Sequence, residues 1–153
     1  MLETPHVIVA AAIASKIPNP LISIPLAFAS HFILDMTPHW NPHLTSDSKK
    51  FGGASKMSII LIIIDSTTAL LSGLFIAYRV LPDVFLSLGI ILACFISVFP
   101  DVIEAPFYFL GLKSEVMKKW IALQKSIQSN ASPIVGSLTQ IIIICAALWW
   151  IYS

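Results

Sequence analysis

Residues 134–152 read IVGSLTQIIIICAALWWIY, a run with no charged side chain. At about 1.5 Å per residue it covers the roughly 30 Å hydrocarbon layer of a bilayer. Trp149, Trp150 and Tyr152 close it, as interfacial aromatic anchors close a membrane-spanning helix. Residues 84–99 (VFLSLGIILACFISVF) are also uncharged, and the apolar character continues beyond Pro100 into APFYFLGL. Residues 57–80 carry Asp65 near their middle and Arg79 near their end, where an arginine can snorkel to the headgroups. Three membrane spans are therefore predicted.

The rest of the composition points the same way. Of 153 residues, 57% are hydrophobic and 11% charged, with a mean hydropathy of +0.87. Soluble domains carry about 25% charged residues. A chain of this size leaves a large share of its surface exposed, so the apolar excess must face lipid. A net charge of +1 argues against a nucleic-acid partner, which needs a concentrated basic patch. Cys94 and Cys145 lie in apolar runs without CxxC or CxxH spacing, so neither a disulfide framework nor a thiolate metal site is expected.

The N-terminal third is less regular. MLETPH is acidic rather than basic and no small-residue cleavage site follows, so no cleavable signal peptide is expected. Pro5–Ser15 is too short to cross upright, Leu21–Leu34 is interrupted by Pro25, and Pro18-Asn19-Pro20 between them signals a turn. The expectation is a short helical hairpin, 6–16 and 21–36, that dips into the membrane and returns to its own side. The fold class is then an all-α integral membrane protein forming a single membrane domain, 1–153. It adds to the hairpin three longer helices, at 57–80, 84–112 (kinked near Pro100) and 133–152. Residues 114–128 complete it as an interfacial amphipathic helix, with Val116, Trp120, Leu123 and Ile127 at helical spacing.

Orientation follows from charge. A returning hairpin puts residues 1–5, 37–56 and 113–132 on one face, with Lys49, Lys50, Lys56, Lys113, Lys118, Lys119 and Lys125. The other face keeps Lys16 and Arg79. The positive-inside rule places the lysine-rich face in the cytoplasm, with the chain in the plasma (inner) membrane and its N-terminus cytoplasmic.

Ionisable groups at membrane depth are costly and usually functional. His31 and Asp35 in SHFILDM are four apart, so a helix stacks them on one face, the spacing by which one helix offers two metal ligands. Pro38 ends that helix, and His39 follows. In an antiparallel hairpin the start of the first helix lies beside the end of the second, which brings His6 to His31, Asp35 and His39. The helix beginning near Asp83 rises about 27 Å to Asp101, so Asp101 and Glu104 reach the same rim. Asp65 is expected about two turns in, deeper than the others. Mixed His and carboxylate ligation suits zinc first, with manganese or iron also compatible, and the donors suffice for one ion or more. Structural readings exist for each residue. Asp101 and Glu104 could serve a helix dipole. Asp35 could pair with a lysine, His6 and His39 could be interfacial side chains, and Asp65 could bond a neighbouring hydroxyl. Thr4 reads as a helix cap, and His43 and Asp47 as solvated loop residues.

The segments TPHVIVAAAIA, SHFILDMTPHW and FPDVIEAPF, in that order, resemble the YdjM-type family of predicted membrane-bound metal-dependent hydrolases. The likeness covers residues 4–40 well and 98–106 loosely. It implies that His6, His31 and Asp35 are metal ligands and Asp101 a further one. The family pattern is similar in turn to the zinc-dependent phospholipase C and nuclease group, which implies a phosphate ester of a lipid or lipid-linked molecule as substrate. This chain is shorter and has no His-x-x-x-Glu motif; Asp101-x-x-Glu104 could stand in its place.

The expected function is a metal-dependent hydrolase at the cytoplasmic lipid interface. The ion would polarise a phosphoryl or acyl oxygen and bring a bound water toward a pKa of about 7. Glu104 or Asp65 would be the general base or orient an imidazole, and His39 would be a ligand or the acid at the leaving group. Two other classes fit parts of the pattern: a small ion- or proton-coupled transporter using Asp65, Asp35 and His31, and a non-catalytic adaptor docking a partner through Lys113–Lys125. The oligomeric state is not encoded in any of these features.

Overall fold

A computed structural model describes residues 1–153 other than 43, 45, 48–52 and 113. The described residues form α1 (Glu3–Lys16), α2 (Pro20–Asp35), α3 (Lys56–Arg79), α4 (Val84–Val102), α5 (Ala105–Phe109), α6 (Glu115–Ile127) and α7 (Pro133–Tyr152), and no β-strand. The helix starts are written locally. Side chains of Asn19, Ser55, Asp83, Ser114 and Ser132 each accept a first-turn N–H, and Pro20 and Pro133 occupy positions whose N–H would have no helical partner. Instead of one kinked helix over 84–112, α4 runs through Pro100 to Val102 and stops. A separate short α5 begins with Ala105-Pro106, because a second proline is tolerated in a first turn but not in an interior.

α3, α4 and α7 are long and apolar enough to cross a membrane. α1 and α2, about 21 and 24 Å long, are too short to do so upright. α1 instead sits at the centre of the bundle, packed against α2, α3, α4 and α7. Ala10, Ala11, Ala12 and Ala14 are fully buried, and such small side chains let four neighbours approach one helix closely. The start of α1, from Thr4 to Ile8, is buried in protein, whereas its end at Lys16 is exposed. α2 is the outer partner and presents Leu21 and Ile33 outward.

α6 packs on the bundle by one face and leaves Val116 and Leu123 of its apolar stripe facing outward. Ile121 and Gln124 point inward and are buried, whereas Val116 and Leu123 are 79% and 51% exposed. Polar bonds choose the face: the Trp120 indole N–H and the Gln124 amide both donate to the Pro100 carbonyl, at 3.2 and 3.1 Å. Asp47 accepts from Ser55 N and Ser58 Oγ and so holds the entry to α3, and His43 lies outside the described residues.

Candidate metal centre

The start of α1, the end of α2 and the end of α4 meet at one level, and their polar side chains meet with them. Asp35, 1% exposed, is the hub. His6 Nε2 lies 3.5 Å from its Oδ1, His39 Nε2 3.8 Å from the same oxygen, and His31 Nε2 3.6 Å from Oδ2. His31 Nε2 is also 3.8 Å from Asp101 Oδ1. Donor atoms of His6, His31 and Asp101 all fall within 4.8 Å of one another. The His6 and His31 rings stack with centroids 4.3 Å apart. Gln128 Nε2 donates to Asp35 Oδ2 at 3.3 Å, and the Met1 nitrogen donates to Asp35 Oδ1.

The histidines are oriented from behind. His31 Nδ1–H donates to the Ser97 carbonyl at 2.8 Å, and His39 Nδ1–H to the Thr37 carbonyl at 2.9 Å. Both Nε2 atoms are thereby left as lone pairs facing the carboxylates, the arrangement usual for metal-binding imidazoles. Neither ring nitrogen of His6 nor Nε2 of His39 has a hydrogen-bond partner, although each atom is buried. An unpaired buried polar atom costs about 1–3 kcal/mol, so several at one point need a common partner. His31 Nε2 also faces Gln124 Oε1 at 3.1 Å, lone pair to lone pair once Nδ1 carries the proton. Three imidazole nitrogens and the Asp35 and Asp101 carboxylates converge here, a mixed donor set of the kind divalent cations accept. Burial holds His39 below the ordinary histidine range, which keeps its nitrogen available.

Asp65 takes another part. It is not set deeper than the cluster but lies level with the start of α1. Its carboxylate accepts from Glu3 N at 2.6 Å, Thr4 N at 3.2 Å and Thr4 Oγ1 at 2.6 Å. α1 has no capping side chain of its own, so Asp65 caps it from across the bundle, one turn before His6. Thr4 is a donor to that carboxylate rather than the cap. Among the described residues the Asp65 carboxylate bonds α1 alone.

Gln124 escaped the sequence reading. Its amide nitrogen reaches the Pro100 carbonyl and, at 2.8 Å, Glu104 Oε1, while its oxygen meets His31. An amide on a lysine-rich amphipathic segment carries no metal-ligand signature, and only its place among apolar neighbours at helical spacing hints at burial. Glu104 is half-buried, and burial followed by the like charge of Asp101 pushes its carboxyl up to about 7. After α6 the chain is zipped to the site: Ser129 N donates to the Asp35 carbonyl, His39 N to Ser129 O, and Ala131 N to His39 O. α7 closes against this segment at Gly136, where an added Cβ would stand 2.3 Å from Trp40 N.

Fold and site together define an all-helical chain with three helices able to span a membrane and a buried His/carboxylate cluster capable of holding a metal. No protein-family model, curated protein or solved structure matches the chain.

Proposed function

We propose that the chain is a membrane-embedded metal-dependent hydrolase acting on a phosphate ester of a lipid or lipid-linked molecule. One observation carries this reading: the buried Nε2 atoms of His6 and His39 have no hydrogen-bond partner and, with that of His31, surround the Asp35 carboxylate. His6, His31, Asp35 and Asp101 would hold the ion, with His39 as a further donor. When bound, a divalent ion supplies a Lewis acid for the phosphoryl oxygen and acidifies water. Glu104, on the open side beside Gln124, accepts the proton of the attacking water. As the phosphorus–oxygen bond to water forms, the bond to the alcohol breaks and the alkoxide takes up the proton that Glu104 accepted. Asp65 acts only through α1, by fixing the helix start that carries His6.

The family likeness of residues 4–40 supports the same chemistry. In this reading α1 and α2 form a re-entrant hairpin, α6 lies at the interface with Val116 and Leu123 toward lipid, and the site opens on the cytoplasmic side of the inner membrane. An ion pathway is disfavoured by what lies beyond the cluster, where Ala10, Ala14, Ile76, Ala77 and Ile90 pack together as an apolar core. Elemental analysis of detergent-purified protein tests the proposal. Wild type should retain a divalent metal, and the double variant His31→Ala/Asp35→Ala should lose it together with phosphate-ester hydrolysis. Full occupancy in the double variant ends it.

A further inference from the structure

Beside the cluster lies a cavity of about 860 Å³ whose two ends differ in chemistry. At one end stand Asp101, Glu104 and Gln124; the walls leading away are apolar, Leu70 and Leu74 from α3 facing Ile91 and Phe95 from α4. Asp65 to Leu74 along α3, and Ile91 to Asp101 along α4, each span about 14–15 Å. The two helices run in opposite senses here, so the polar ends coincide and so do the apolar ends. Val7 of α1 backs the groove: its Cγ1 lies 3.1 Å from where a Gly73 Cβ would be, and Cys94 Sγ approaches the same point at 3.3 Å. The outer side is open, with Leu70 61%, Leu74 44% and Phe95 51% exposed on helices long and apolar enough to span a bilayer.

We infer that this groove is the tail site for a phosphate-headed lipid, which enters sideways from the bilayer, lays one chain between α3 and α4, and rests its phosphate at the His/Asp cluster. The inference rests on the proposed metal centre and lipid substrate and adds to them the site of the acyl or alkyl chain and its route of entry. A water-soluble phosphate ester would gain nothing from an apolar trough inside the membrane, whereas an amphiphile matches both ends at once. The charge at the polar end sets a condition. Glu3, Asp65, Asp101 and Glu104 line that end and repel a phosphate unless a cation stands beside them, so seating of the headgroup, and with it retention of the chain in the groove, depends on the metal.

The full chain is reconstituted in phosphatidylcholine nanodiscs containing a trace of a single-chain alkyl phosphate with a mid-chain diazirine, with zinc or with chelator. Labelled peptides are then mapped after irradiation. With zinc, label on residues 66–76 and 91–99 should exceed that on the lipid-facing stretch 134–145 of α7 by about tenfold. Chelator, or a probe of the same chain bearing an uncharged glyceryl head, should abolish the preference. Leu70→Trp narrows the groove at an exposed position and should cut the labelling while zinc content stays unchanged; Leu138→Trp on α7 should not. Equal labelling of α4 and α7 in zinc-loaded protein overturns the tail site and leaves the metal centre standing. Labelling insensitive to chelator overturns the placement of the phosphate. Protein that binds no zinc at all removes the metal reading itself.

Discussion

The imidazole of His6 lies almost flat on that of His31, 22° from parallel, although 25 positions separate them in the chain. The stack forms because α1 and α2 pack side by side in opposite directions, so that the first turn of one meets the last turns of the other. Asp35, one turn beyond His31, then sits within 3.5–3.8 Å of three imidazole nitrogens.

A cluster built this way should depend on its ion for stability as well as for chemistry. Zinc at a hundred times its dissociation constant is expected to stabilise the purified protein by about 2.7 kcal/mol, read as a rise in thermal midpoint that chelator reverses. His6→Ala and Asp35→Asn should each erase most of that rise while helical circular dichroism persists. A full zinc-dependent rise in both variants would place the ion elsewhere.

Asp65 and the other carboxylates should separate cleanly by experiment. Because Asp65 caps α1, Asp65→Ala is expected to lower stability by about 0.5–2 kcal/mol, the range for a lost helix cap. At saturating zinc the variant should keep its metal stoichiometry. Unchanged stability with abolished hydrolysis would instead return Asp65 to the role of base.

Gly136 is held to glycine by the backbone it touches. Gly136→Ala sets a methyl group 2.3 Å from Trp40 N and 2.6 Å from the His39 carbonyl carbon, so the 39–40 segment must move and take His39 with it. Weaker zinc binding by about tenfold is expected, in the range reported for disturbed ligand support. Gly89→Ala, in a helix and with nothing within 4 Å, is the control and should gain about 0.5–1 kcal/mol. If the two variants behave alike in zinc titration, the contact is not what positions His39.

The Glu104 carboxyl carries a pH signature. Its ordinary value of 4.5 is raised to about 7, so between those values the folded chain binds a proton that the unfolded chain has released. Stability of the metal-free protein should therefore fall as pH rises from about 4.5 to about 7 and level off above. Glu104→Gln removes the ionisation and should flatten that slope in denaturant titrations at several pH values. A slope as steep in the variant would assign it to another group.

How much of this is legible in the chain can be judged residue by residue. The spacing of His31 and Asp35 places them on one helical face, and the hairpin turn at Pro18-Asn19-Pro20 implies that His6 lies near them. Both are consequences of local geometry and of a short connection. Glu104 is legible as an acid near Asp101 but not as a partner of Gln124, because that bond joins helices whose relative rotation no periodicity records. Val116 and Leu123 form the more apolar stripe of α6, yet Ile121 and Gln124 face inward, since two hydrogen bonds to Pro100 outweigh lipid-compatible side chains that lose nothing by facing out.

Hydropathy, run length and proline positions determined by themselves that the chain is helical and that three of its helices are long and apolar enough to span a membrane, because those properties belong to each segment alone. The tertiary structure decided that α1 is the centre of the bundle, that Asp65 caps it, and that Gln124 joins α6 to the cluster. Those outcomes depend on which faces of separate helices meet, and that is settled by packing small side chains and pairing buried polar atoms across the whole molecule at once.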